Sequence, residues 1–326
     1  MGISTGRDLH IDQNLTNVAM NYRPAGMIAD MIAPIITVAK ETDLYPVFSQ
    51  KEALAVEDTR RSRGTAANRI TRSVSSEGYK AENYALAYDL PIEDRANMDA
   101  AYAFELEAGA SRFIVDKLVL DWDKRVLQTV GSASNVSTGF LTGSAWNAAS
   151  NPGDPVSALY QVIEQIQATT AYRPNNILFG WQAYNLFRRN TNVRNFVLGT
   201  NNGGGVVTRQ AVAGIFEVDR VLVSEAFYNS ANEAKALSLA NTFPKDSVLV
   251  YYAPPGPSRE VPSFMYSFRW QAPGLPAPLS VERHPYDSKR KVESIEAGYY
   301  QDEKITSSAL GALLVGVGSA QANGLT

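Results

Sequence analysis

The 326-residue sequence contains no cysteine, which removes disulfides, thiolate nucleophiles and cysteine-based zinc sites together. Histidine is almost as scarce. His10 and His284 are the only two, far apart, and the second stands directly before Pro285. A His-rich metal centre is therefore excluded, and an imidazole-based triad has little to draw on. No stretch reaches the ~18 consecutive apolar residues of a membrane-spanning helix. The segment Met1–Asp8 lacks the basic-then-apolar layout of a signal peptide. A basic excess is missing too: 30 Lys and Arg stand against 33 Asp and Glu, for a net charge of -3. Proteins that grip nucleic acid do so by neutralising phosphates with a basic surface, so contact with DNA is expected to be weak or indirect.

Recognisable chemistry is also lacking. No G-x-x-x-x-G-K-[ST] phosphate loop occurs; the nearest glycine run, Gly203-Gly204-Gly205, is not followed by Lys-Ser or Lys-Thr. H-E-x-x-H is impossible with these two histidines. Asp121 and Asp123, and likewise Glu105 and Glu107, are two apart on one helical segment and so point in different directions. No catalytic residue, cofactor or metal ligand emerges, and the chain reads as a non-enzyme.

What is present describes a folded protein with unusual attachments. Hydrophobic residues make up 45% and charged residues 19%, an ordinary balance in a chain long enough to bury a sizeable core. From Asn14 to Phe48 the apolar residues Val18, Tyr22, Ile28, Met31, Ile32, Ile35, Ile36 and Val38 are scattered among Pro24, Pro34 and Pro46. The prolines forbid one long helix, and the apolar content argues against a free tail. The segment reads as an arm that buries itself against its own body or a neighbour. Residues 50–85 then turn polar, with Arg60, Arg61, Arg63, Arg69 and Arg72 and few large apolar side chains. This predicts a hairpin or long loop without a core of its own, and the arginine stretch 60–72 holds no interleaved aromatics for stacking on bases.

Residues 84–92 alternate as a strand. From about Asp99 to Val130 there is no proline and only one glycine, and Val115, Val119, Trp122, Val126 and Val130 recur at helical spacing, widened by Ile114, Leu118, Leu120 and Leu127. This predicts a helix of ~45 Å ending at Gly131. Asp154-Pro155 opens a second helix as N-cap and first residue, with Val156, Leu159, Tyr160, Ile163, Ile166 and Thr170 on one face. Strands are expected at 176–179, 217–223, 247–252, 264–270, 279–283, 292–300 and 310–317, the last three in one terminal sheet. Helices are expected at 181–190 and 210–216. The class is mixed α+β without a regular βαβ period.

The order of these features resembles the tailed-phage major capsid proteins of the Hong Kong 97 type. The segments that carry the likeness are Ile28-Ala29-Asp30, Ala33 to Val38, Tyr45-Pro46-Val47-Phe48, Arg173 to Gly180, Asn185 to Arg188, Gly214 to Val223 and Asp246 to Tyr251. No single one is diagnostic; the ordered set is, and it spans nearly the whole chain. The resemblance implies an N-terminal arm (1–48), an extended loop over a neighbour (49–92), a peripheral domain with a long spine helix (93–154 and 276–326), and an axial domain (155–275). It implies a virion shell assembled in the host cytoplasm from pentamers and hexamers of this chain, enclosing double-stranded DNA without sequence-specific binding. A separate scaffolding protein or none, a portal and a decoration protein are the further partners it suggests, since the arm-like pattern starts within about fifteen residues of Met1. Intersubunit contact is expected from Arg60, Arg61, Arg63, Arg69 and Arg72. Gly203, Gly204 and Gly205 are expected in a mobile loop at the capsomer axis. Encapsulin-type nanocompartment shells share this fold, and the residues barely separate the two readings.

Overall fold

The computed structural model describes residues 16, 26–48, 55–57, 59–64, 66–67, 69–70, 74–93, 97, 100–139, 145–147, 153–198, 207–232, 235–259, 261–272 and 279–318. Its elements run α1 (Ala29–Ile32), β1 (Ile35–Val38), β2 (Thr42–Phe48), β3 (Val74–Lys80), β4 (Glu82–Pro91) and the long helix α2 (Ala100–Val130). They continue with β5 (Thr138–Gly139), α3 (Pro155–Thr170), β6 (Asn176–Gly180), α4 (Trp181–Arg189), α5 (Thr191–Leu198), α6 (Arg209–Phe216) and β7 (Arg220–Ser224). The remainder is β8 (Phe227–Asn229), β9 (Leu239–Asn241), β10 (Val248–Tyr251), β11 (Met265–Trp270), β12 (Ser280–Asp287), β13 (Val292–Ile305) and β14 (Gly311–Leu314).

Two sheets organise the chain. In the first, β1, β11, β13 and β12 lie in that order, and β4 pairs antiparallel along the other side of β13. In the second the order is β5-β14-β10-β6-β7. β2 with β3, and β8 with β9, form two-stranded ribbons.

Helix α2 lies on the first sheet for the reason its periodicity gives. Ile114, Val115, Leu118, Trp122, Val126, Leu127 and Val130 are buried in one cluster with Val281, Ile295, Ala297 and Tyr299 of the sheet. At ~1.5–3 kcal/mol for each fully buried large side chain, this stripe is a principal gross stabilisation of that half, most of it offset by chain entropy. Helix α3 starts as its sequence predicts: the Asp154 carboxylate accepts from the Val156 N–H at 3.1 Å and from the Ser157 hydroxyl at 2.7 Å, with Pro155 in the first turn. Its buried face packs into a second cluster with Ile177, Phe179, Phe187, Phe216 and Val248.

Two expectations need correction. β14 does not join β12 and β13 in a terminal sheet; it pairs with β10 in the second sheet, Leu314 opposite Val248. β11 belongs to the first sheet, between β1 and β13. Short apolar runs such as Leu249-Val250-Tyr251 and Ala312-Leu313-Leu314 fit either sheet, so sequence order could not assign them. The strand expected from Glu217 begins at Arg220, because Glu217 takes left-handed backbone (φ 50°) as the C-cap of α6. α2 ends at Gly131 as expected; the glycine does not enter the left-handed region, but a Cβ there would meet Pro244 Cδ at 2.5 Å and the Leu127 carbonyl at 2.9 Å. Helix α5 was not anticipated.

Candidate functional site

The chain's candidate functional surfaces are its attachments, built from three groups of residues. The first is the hairpin. β2 and β3 pair from Thr42 opposite Lys80 to Phe48 opposite Val74, so the polar stretch expected as a hairpin has a regular stem. The foot of the stem is held on the first sheet by stacking: Phe268 lies between Tyr45 (centroids 5.1 Å apart) and Tyr79 (4.8 Å), over Ile36 and Val38. The Tyr45 hydroxyl donates to Glu77 at 2.6 Å, and the Lys80 N–H donates to Asp302 at 2.9 Å. Burial, with the Glu77 carboxylate adding to it, pushes the Tyr45 phenol far above its ordinary range.

Away from the foot the packing stops. Leu44 is 59% exposed, Val56 99% and Ile70 75%. Arg60, Arg61, Arg63 and Arg69 are all exposed on this segment. The structure thus brings four of the five singled-out arginines onto one solvent-facing excursion. Arg72 lies outside the described residues, as do Gly203, Gly204 and Gly205.

The second group anchors the arm. Ile28, Ala29, Ile32 and Ala33 are buried against α2. The Asp123 carboxylate, fully buried on α2, accepts the backbone N–H of Ile28 at 2.8 Å and of Ala29 at 3.0 Å through Oδ1. Its Oδ2 has no hydrogen-bond partner. Burial raises its pKa to about 6, against the two N–H groups that lower it and with the Asp30 charge adding to the rise. The Tyr251 hydroxyl donates to the Met31 carbonyl at 3.2 Å, and β1 runs parallel to β11. The described part of the arm therefore buries itself in its own body. Sequence reasoning separated Asp121 from Asp123 correctly but missed this role. The signal was there: residue 123 lies four after Val119 and three before Val126, inside the apolar stripe.

The third group ties α2 to the sheet. Arg125 stacks over the Tyr84 ring at 3.7 Å and donates to Glu303 at 3.0 Å and the Tyr299 hydroxyl at 3.2 Å; it also pairs with Asp121. About five turns toward the start of α2, Glu107 pairs with Arg283 of β12. Arg269, whose pKa burial lowers, donates through Nε to Gln301 at 2.8 Å, and Gln301 in turn donates to Glu303 at 2.8 Å. These charges are spent on holding helix to sheet. Among the described residues no three His, Asp or Glu side chains gather as a metal site.

No family model matches the chain. It is 26% identical over 223 residues to the major capsid protein of Burkholderia phage BcepMu, covering 67% of this chain and 70% of that one. It is 24% identical over 264 residues to the major capsid protein of Pseudomonas phage JBD67, covering 80% and 83%. Among solved structures, a phage-related protein from Bordetella bronchiseptica RB50 superposes with a TM-score of 0.72 at 20% identity, covering 94% of this chain and 98% of that one. The capsid of cyanophage P-SCSP1u gives a TM-score of 0.54 at 14% identity, with 90% and 88% covered. The resemblance read from the ordered sequence features is borne out. In sequence the chain is similar to these two phage major capsid proteins, and in fold it resembles the phage-related protein and the cyanophage capsid chain.

Proposed function

We propose that this chain is the shell subunit of a phage head, assembling into pentamers and hexamers that close into an icosahedral container around double-stranded DNA. The observation that carries the reading is the hairpin. Its foot is stapled to the sheet by Tyr45, Phe268 and Tyr79, whereas its outer part presents Val56, Ile70 and the arginines Arg60, Arg61, Arg63 and Arg69 to solvent. An element with a fixed base and no core at its tip makes physical sense when another copy supplies the partner surface, and closed symmetric assembly supplies such copies. The near-balanced charge of -3 suits a container that encloses DNA without clamping it.

In this reading the chain comprises the arm, the extended loop, a peripheral body carrying α2 and an axial body. We assign β11 to the peripheral body and β14 to the axial one, in departure from the boundaries implied by the sequence, because of the sheets they join. Residues 203–205 are proposed at the capsomer axis, and a scaffolding protein, a portal and a decoration protein remain proposed partners. A nanocompartment shell enclosing protein cargo is the alternative, because it shares the fold.

Electron microscopy of the purified full chain, expressed with its neighbouring structural genes, tests the proposal. Closed particles of uniform diameter with packaged DNA are expected. A chain that stays monomeric at high concentration under these conditions overturns the shell reading. Closed particles that hold protein cargo and no DNA shift it to the nanocompartment.

A further inference from the structure

β4 is a ten-residue strand that, among the described residues, pairs along one side. β13 pairs along its whole length, Glu82 opposite Gln301 through Pro91 opposite Val292, and no strand among the described residues pairs with its other edge. The sheet's far side is treated differently: the Thr16 hydroxyl accepts from the Val281 N–H at 3.2 Å on β12. A long, open strand edge is a template for another strand, and native proteins normally blunt or cover it.

The outward-facing backbone groups can be identified. The Ile92 N–H donates to the Lys291 carbonyl at 3.1 Å, which places even-numbered residues in the hydrogen-bonded pairs with β13. Pro91, with no N–H, then falls at an outward position, where an edge strand tolerates it. Alternation turns the N–H and C=O groups of Asn83, Ala85, Ala87 and Asp89 away from the sheet. Beside this edge lies a groove lined by Tyr88, Glu105, Leu106, Gly109, Ala110 and Phe113. Phe113 of α2, in edge contact with Tyr88 at 6.2 Å, is 52% exposed, and Leu86 of β4 is 43% exposed. Gly109 has nothing within 4 Å of where a Cβ would stand.

We propose that β4 pairs antiparallel with β4 of a second copy, about a twofold axis through Leu86, joining the first sheets of two subunits into one. The inference rests on the shell reading, which supplies the second copy. The sequence of the strand is self-complementary in this register. Ala85 stands opposite Ala87, Asn83 opposite Asp89, Tyr84 opposite Tyr88, and Glu82 opposite Leu90. No like charges face each other, and the aromatic pairs fall on the α2 side, where cross-strand pairs add stability. The outward residues 83, 85, 87 and 89 all land in hydrogen-bonded pairs. Moving the axis to Ala87 would put Pro91, which cannot donate, into such a pair with Asn83. Leu86, Tyr88 and Phe113 would then be covered by the same residues of the partner.

The absence of cysteine makes the test direct. Only a residue on the twofold axis faces its own copy. In a non-hydrogen-bonded antiparallel pair the Cα atoms are ~4.5 Å apart, within the ~4.4–6.8 Å that a disulfide spans. Full-length Leu86→Cys protein, assembled and mildly oxidised, should run as a disulfide-linked dimer on a non-reducing gel. Adding Ala87→Pro, which removes an outward N–H but no bond to β13, should abolish that dimer while circular dichroism of the subunit stays unchanged. Leu86→Cys chains that form particles yet remain monomeric on the gel overturn the pairing and leave the shell reading standing; a foreign strand seated on this edge would give that same overturning result. If the unsubstituted chain forms no particles, the shell reading falls, and the gel still decides the pairing in the concentrated protein.

Discussion

Asp123 shows how much a single side chain can hold. It is a fully buried carboxylate whose hydrogen bonds, among the described residues, come from two amide N–H groups of the arm. Its pKa in the folded chain, about 6, lies above the ordinary 3.8, so folding tightens proton binding. The associated stability is fully present below about pH 4 and is lost as pH rises through about 6. Asp123→Asn should therefore flatten the dependence of Tm on pH between these limits, measured by thermal unfolding across a pH series. Asp123→Ala strands two buried N–H groups and should cost about 1–3 kcal/mol for each, read from urea unfolding. Trp122, next to it, is 7% exposed, on the buried face assigned by periodicity. Truncation to alanine should cost ~3–5 kcal/mol; unchanged stability would show that the packing around it is not what holds the helix. The stripe was legible in the sequence. That a carboxylate inside it serves the arm was not, because its partners lie 94 and 95 residues away.

At the scale of elements, two glycines of α2 and its end separate propensity from packing. Gly109 sits in the helix with open space before it, so Gly109→Ala should raise subunit stability by ~0.5–1 kcal/mol through backbone entropy alone. Gly131, pressed against Pro244, should respond oppositely: Gly131→Ala should cost ~1–3 kcal/mol by overpacking. Urea midpoints of the two variants, measured side by side, check both signs. The sequence pattern treated Gly131 as a helix terminator and Gly109 as an interruption; only the neighbour across space distinguishes them. The same holds for strands. β6, β10 and β14 were each found as apolar runs, yet their partners follow from which faces the helices cover, and this put β14 beside β10 and β11 beside β13.

At the scale of the whole molecule, the exposed arginines predict how assembly depends on charge. Exposed ion pairs contribute ~0–1 kcal/mol each, so a contact made of several should weaken with salt. Reversing Arg60, Arg61 and Arg63 to Glu together should leave the subunit's Tm unchanged but impair particle formation, followed by light scattering over a range of salt. Normal assembly of that triple variant would return the cluster to a solvated loop. The sequence by itself determined the local features: the helix periodicity of 100–130, the cap at Asp154-Pro155, the polar hairpin, the absence of cysteine and the scarcity of histidine. Together with the order of segments, these were enough to reach the resemblance to phage major capsid proteins. Such features depend on residues within a few turns of one another, which a sequence displays. The tertiary structure decided where the arm is anchored, which strands share a sheet, why Gly131 is glycine and which strand edge is left open. Each depends on groups distant in the chain meeting across a few ångströms, and neither periodicity nor composition encodes that distance.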